Sequence, residues 1–151
     1  LRMRITQERS SERAGRYDLK LGRGGLIDIE FCVQALQMRH GSDPRVRTTE
    51  VLVAIESLAR GGYLRPEDAE VLREGYAFLR ELEERIRIVH ADSSHLLEEN
   101  APGLAPLARR MGIRDRPGSE AAAELLARYR AVTERVRRVY EAILVESSHA
   151  S

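Results

Sequence analysis

The sequence predicts an all-α fold, a bundle of about five helices preceded by a lead-in from another domain. Apolar residues recur at spacings of three and four in each long segment, as they do along one face of a helix. Glycines, prolines and polar turns separate these segments, and no segment alternates with period two over a useful length. The predicted domains are a lead-in helix with a Gly-rich loop at 1–25, the bundle at 26–146 and a disordered tail at 147–151.

Glycines mark the ends of the first two predicted helices. The first helix begins at Leu26, follows the rhythm of apolar residues and stops at Gly41. The side chain of Thr48 or Thr49 can cap the second helix, which ends at the 61–62 glycine pair.

A proline and a serine mark the starts of later helices. Pro66 suits the first position of a long helix, and Glu67 and Asp68 then lie at the positive end of its dipole. A polar loop at 92–103 separates this helix from a short one, and Ser119 can cap the last helix.

The composition excludes several classes of protein. The 151 residues suit one domain with its own core, and 25 basic against 24 acidic residues give a net charge of +1. This balance lacks the basic excess of proteins that bind nucleic acids or anionic membranes. The single cysteine, Cys32, excludes an internal disulfide and fits the cytoplasm, and no apolar run approaches the roughly 20 residues of a membrane span. Because the chain opens on Leu1 without a signal peptide, we expect a piece of a longer protein.

A basic, glycine-rich loop runs directly into the first helix. Free backbone N–H groups at such a junction can hold a phosphate, and Lys20 and Arg23 add positive charge. The glycine spacing matches neither the P-loop nor the Rossmann fingerprint, and no apolar strand precedes it. Asp28 and Glu30 also bring negative charge to the helix start. These observations favour a tight turn over a phosphate site.

No metal site or catalytic residue is predicted within the chain. Asp28 and Glu30 are about 200° apart around a helix axis, so their carboxylates diverge. The four histidines lack the spacing of zinc ligands. The arginines of the 128–138 run are interleaved with glutamates, which is typical of a solvated helix face.

The first helix is apolar on two sides. One side carries Leu26, Ile29, Val33 and Leu36, the nearly opposite side carries Ile27, Phe31, Ala35 and Met38, and the polar strip between them carries Glu30, Gln34 and Gln37. A helix of this kind is buried on two sides. Two interpretations stay open: it is the central helix of this bundle, or its second side packs against another domain.

The same block resembles a known family signature. The pattern Lys20-x-Gly22-x-Gly24-Gly25-Leu26-x-Asp28-Ile29-Glu30-Phe31-x-x-Gln34 is similar to that of the glutamine synthetase adenylyltransferases. The similarity covers roughly residues 2–146. In that family the block follows a nucleotidyltransferase domain and opens a helical domain shared with PII uridylyltransferases. Ile27 replaces a common arginine and Arg65 a common serine cap.

The resemblance implies a role in the regulation of nitrogen assimilation. The parent enzyme transfers AMP from ATP to a tyrosine of glutamine synthetase, and its paired half removes the AMP by phosphorolysis. Aspartates hold magnesium in the nucleotidyltransferase domain. Their acidic cluster is absent here, so the chain is expected to be inactive alone and to support its catalytic domain. The polar end favours the C-terminal, adenylylating half.

The expected partners are the nucleotidyltransferase domain of the same protein, glutamine synthetase and PII. The residues expected to dock on the catalytic domain or to lie near its nucleotide are Lys20, Gly22, Gly24, Gly25, Asp28, Glu30 and Gln34. Two alternatives stay open. The chain is a regulatory module that senses PII or glutamine, or it is the equivalent domain of a PII uridylyltransferase.

Overall fold

The computed structural model describes residues 15–90 and 96–150. Within these ranges the chain is a helical bundle, which confirms the predicted fold class. The predicted lead-in helix lies outside the described residues. The elements are β1 (Arg16–Asp18), α1 (Leu26–Arg39), a 3₁₀ turn (Pro44–Val46), α2 (Val51–Arg60), α3 (Pro66–His90), β2 (Leu96–Glu98), α4 (Leu104–Arg110) and α5 (Ala121–Ala150).

Two short strands join the start of the described chain to the segment between α3 and α4. β1 pairs with β2 in antiparallel register, with Tyr17 opposite Leu97. The sequence predicts no strands, because three residues are too few to show an alternating pattern. The pairing places the entry to the Gly-rich loop beside α5, where the rings of Tyr17 and Tyr129 lie 5.3 Å apart.

α1 lies at the centre of the bundle, where it packs against α2, α3 and α5. Its core side is at most 4% exposed and consists of Leu26, Ile29, Cys32, Val33 and Leu36. Gly75 lets α3 approach α5 closely, since a Cβ at this position would lie 2.7 Å from Cγ2 of Val136. None of the helices in the described ranges has the length and apolar character needed to cross a membrane.

Helix starts agree with the sequence where proline sets them and differ where side-chain caps were expected. α3 begins at Pro66, as predicted. The capping prediction at Thr48 or Thr49 is wrong: the residue before α2 is Glu50, whose side chain makes no capping hydrogen bond. Thr48 lies too far back and instead accepts the Glu50 N–H through its hydroxyl.

The start and end of α5 also differ from the sequence prediction. The Ala121 N–H is capped by the Asp115 carboxylate at 2.9 Å rather than by Ser119, whose backbone pairs with Arg116. The helix continues to Ala150, into the 147–151 segment for which a tail was predicted. Residues 147–150 include no glycine or proline that would stop it.

Candidate functional site

The Gly-rich loop is closed by its own hydrogen bonds. The Asp18 carboxylate accepts the N–H groups of Lys20 and Leu21, both at 2.9 Å, and the Asp18 carbonyl accepts the Gly22 N–H at 3.0 Å. An aspartate that bonds to the backbone two and three residues ahead forms a tight Asx turn. The first half of the loop is therefore shaped by Asp18.

The second half of the loop uses the amides that could otherwise bind a phosphate. Three consecutive N–H groups donate to loop carbonyls: Gly25 to Gly22 at 2.9 Å, Leu26 to Leu19 at 3.0 Å and Ile27 to Lys20 at 3.0 Å. A phosphate site at a helix start needs such N–H groups to be free. The Arg23 guanidinium lies within 3.6 Å of carboxylate oxygens of Glu134 and Glu141. The structure thus favours the tight-turn interpretation.

Gly24 brings the loop against the backbone of α5. Its φ is +73°, and a Cβ added here would lie 2.0 Å from the Thr133 carbonyl oxygen. Gly25 is also tightly enclosed, because a Cβ there would lie 2.7 Å from the Leu19 carbonyl oxygen. Two of the motif glycines are therefore required by close packing.

Asp28 joins the loop to α5 through a buried ion pair. Its side chain is fully buried, and Oδ2 accepts the Gly24 N–H at 2.7 Å and Nη1 of Arg137 at 3.0 Å. Arg137 also donates from Nε to Glu141 at 3.1 Å and stacks over the Tyr140 ring. Sequence reasoning placed Arg137 on a solvated face, which is wrong because its side chain is only 20% exposed.

Glu30 lies on the other side of α1 and has an unsatisfied carboxylate. No hydrogen bond or ion pair joins it to any residue that the structure describes. Burial raises the pKa of the Glu30 carboxyl, the cations Lys20 and Arg80 act in the opposite direction, and Glu83 raises it further. Arg80 itself donates to Glu83 at 2.7 Å. The Glu30 carboxylate is therefore half-buried without a direct partner.

The polar strip of α1 forms one wall of a groove of about 300 Å³. The groove is lined by Glu30, Val33, Gln34, Gln37, Thr48, Thr49 and Val51. Gln37 holds the opposite wall in place, since its Nε2 donates to the carbonyls of Val46 at 2.8 Å and Thr48 at 2.7 Å. We call this feature the Glu30 groove.

The second apolar side of α1 is only partly covered. Phe31 and Ala35 are half-buried against the edge of the core, and Met38 is 85% exposed. Ile27 is half-buried without belonging to the side chains packed on the core. We call Ile27, Phe31, Ala35 and Met38 the outer face of α1. α1 is thus the central helix of the bundle and also retains an apolar outer face.

Replacing Glu30 by glutamine is expected to stabilise the chain. The raised pKa means that the folded state disfavours the ionised carboxylate, so stability is lost as the pH rises through the folded-state pKa. We expect Glu30→Gln to raise the Tm at pH 7 by about 1–2 °C, and the gain to vanish toward about pH 4. Thermal unfolding at both pH values tests this. Glu70→Gln is the control, because Glu70 is exposed and has no described partner.

The seven residues predicted for the site separate into two groups. The glycines and Asp28 lie inside the loop and its contact with α5, whereas Lys20 and Gln34 are exposed and Glu30 is half-buried in the groove. Across the described ranges no three histidine, cysteine or carboxylate groups come together as a metal site. The sequence prediction did not include Arg137 or Asp18 in the site. Only Asp18 could have been found from the sequence, because an aspartate two and three residues before loop amides is typical of an Asx turn.

Comparisons with known proteins identify the family. The protein-family model described as GlnD PII-uridylyltransferase matches residues 1–144 of this chain. Two relatives are named bifunctional glutamine synthetase adenylyltransferase/adenylyl-removing enzyme. The one from Streptomyces coelicolor is 41% identical to this chain over 124 residues, and the one from Xanthobacter autotrophicus is 36% identical to it over 126 residues. These matches cover 82% and 83% of the chain but 12% of each relative, so the chain spans a small part of their length. The chain belongs to the family of the glutamine synthetase adenylyltransferases and the GlnD PII-uridylyltransferases.

Proposed function

We propose that this chain is the helical domain that follows a nucleotidyltransferase domain in a bifunctional glutamine synthetase adenylyltransferase. The whole enzyme transfers AMP from ATP to a tyrosine of glutamine synthetase and removes it by phosphorolysis. ATP and Mg²⁺ bind in the catalytic domain, and the enzyme works in the cytoplasm to regulate nitrogen assimilation. The names of the relatives and their identity to this chain support the proposal.

The chain supports catalysis by docking on the catalytic domain through the Lys20–Gln34 segment. The observation that carries this proposal is the apolar outer face of α1, which starts at Ile27, two residues after the last glycine of the motif. An apolar helix face next to polar groups is typical of a surface that another protein unit covers. Asp28 and the glycines hold the loop rigid, and Lys20, Glu30 and Gln34 are left accessible to a neighbouring domain.

The contribution of the chain is structural support rather than chemistry. The buried Asp28 carboxylate is already bonded to Gly24 and Arg137, and the loop amides are already bonded to one another. Nucleotidyl transfer assisted by metal ions needs several carboxylates around one site. That requirement is met elsewhere in the enzyme under this proposal.

The docking proposal predicts the effect of Ile27→Glu in the whole enzyme. A charge on the outer face should separate this domain from the catalytic domain and lower adenylylation at least tenfold, since a buried unpaired charge opposes association. The 151-residue chain should keep its Tm, because Ile27 does not pack on the core and glutamate suits a helix start. Adenylylation assays and limited proteolysis between the domains measure both effects.

Leu52→Glu provides the matched control. Leu52 is the second residue of α2, as Ile27 is of α1, and it is 44% exposed. Unchanged adenylylation and unchanged proteolysis in Ile27→Glu would show that the outer face is not the docking surface. Binding of PII by the 151-residue chain would instead favour a regulatory module that recognises this partner.

A further inference from the structure

We infer that the Glu30 groove receives an arginine side chain from the rest of the parent enzyme. This inference rests on the proposed docking function and names the chemistry of the contact. The groove presents carboxylate and amide oxygens that no described residue uses.

Acceptors are positioned on three successive turns of α1, at residues 30, 34 and 37. Glu30 contributes two carboxylate oxygens with no hydrogen bond or ion pair in the described part of the chain. Gln37 uses both protons of its amide nitrogen on the carbonyls of Val46 and Thr48, so its oxygen remains as an acceptor facing a fixed direction. Gln34 lies between them and is exposed, with no described partner.

A guanidinium group matches this set of acceptors. It presents several N–H donors in a rigid plane, so one edge can bond to a carboxylate and another to an amide oxygen. An ammonium group acts as a point charge and would not use both acceptors in this way. Val33 and Val51 line the same groove and suit the methylene groups of an arginine stem.

Neighbouring cations do not already fill this role. Arg80 is bonded to Glu83 at 2.7 Å, and Arg87 lies 3.7 Å from the same carboxylate. Lys20 lies within electrostatic range of Glu30 but forms no ion pair with it. Burial raises the pKa of the Glu30 carboxyl, and the nearby cations Lys20 and Arg80 offset this rise only in part.

The partner side chain comes from the remainder of the parent enzyme. The chain spans 12% of the length of these relatives, and under the proposed function the remaining domains of such an enzyme supply the side chain. Glu30 and Gln34 belong to the proposed docking segment, and Gln34 lines the groove next to Phe31 and Met38 of the outer face, which are three and four residues away on the helix. A domain that covers the outer face therefore reaches the groove directly.

The test is a titration of the 151-residue chain with N-acetyl-arginine amide, followed by NMR. We expect saturable shifts of the side-chain amide signals of Gln34 and Gln37 with a millimolar Kd. N-acetyl-citrulline amide has the same shape without the charge and should not bind. Glu30→Gln should weaken arginine binding at least tenfold, whereas Glu70→Gln should leave it unchanged. Absence of saturation at tens of millimolar, equal binding of the citrulline compound, or full binding by Glu30→Gln would overturn the inference.

The two proposals fail in different ways. If Ile27→Glu separates the domains of the whole enzyme but the arginine compound does not bind, the groove inference is wrong and the docking function stands. If Ile27→Glu has no effect on adenylylation or proteolysis, the docking function fails, and the occupant inferred for the groove fails with it. If both results are positive, Glu30→Gln in the whole enzyme should also increase proteolysis between the domains.

Discussion

Gly24→Ala is expected to destabilise the chain by about 4 kcal/mol or to prevent folding. The residue has a φ of +73°, which an alanine adopts only with strain, and its Cβ would lie 2.0 Å from the Thr133 carbonyl oxygen. The clash is with the backbone of a helix, so no flexible side chain can move aside. The loop would have to leave α5, which would also break the hydrogen bond from Gly24 to Asp28. Urea denaturation measures the loss of unfolding free energy.

Gly62→Ala is the control for this prediction. Gly62 has a similar φ of +79°, but an added Cβ would meet no atom within 4 Å. Its substitution should therefore cost only the backbone strain of about 1–2 kcal/mol. The difference between the two variants isolates the close contact with α5. Equal losses in both variants would mean that the approach of Gly24 to Thr133 does not matter for stability.

The sequence predicted the helices well because their signals are local. Pro66 marks the start of α3, and Gly61 lies immediately after α2, which ends at Arg60. The two strands were missed because a pair of three-residue segments is held by long-range pairing rather than by its own pattern. The cap of α5 was misplaced because the Asp115 carboxylate reaches Ala121 across a turn, which spacing alone does not reveal.

The candidate site was predictable only in part. The glycine spacing favoured a tight turn, and the loop hydrogen bonds are in line with that interpretation. The partner of Asp28 lies 109 residues away, on a helix whose alternating charges indicate a solvated face. Three of these charges, Glu134, Arg137 and Glu141, are instead involved in contacts with Asp28 and the loop. A single sequence contains no signal for such a distant pair.

The location of α1 in the bundle could not be predicted from the sequence alone. Because the helix has two apolar sides, the sequence allowed two interpretations: α1 is central to the bundle, or its second side faces another domain. The packing shows that these interpretations are compatible, because α2, α3 and α5 cover the core side and leave Met38 exposed on the other. The same helix therefore fixes the loop and presents the accessible side chains. Asp28 of α1 holds the loop against α5, and Glu30 and Gln34 of α1 line the groove.

Asp28→Ala is expected to lower the unfolding free energy by about 3 kcal/mol. It leaves the largely buried Arg137 guanidinium without its closest carboxylate and the Gly24 N–H without an acceptor. Asp28→Asn should cost less, because the amide oxygen can still accept the Gly24 N–H. Glu141→Gln is the matched control: Glu141 bonds to the same arginine but is half-exposed, so the loss should be about 0.5 kcal/mol.

A double-mutant cycle separates the ion pair from the packing around it. Arg137→Met alone removes the Arg137 guanidinium from the fully buried Asp28 carboxylate, so it should destabilise the chain strongly. The double variant Asp28→Ala with Arg137→Met should be more stable than the sum of the single losses predicts, with a coupling of about 1–3 kcal/mol. Additive losses would show that the pair does not hold the loop to α5. A measured coupling would establish this contact as the part of the motif that fixes the loop, and hence the placement of Lys20, Glu30 and Gln34.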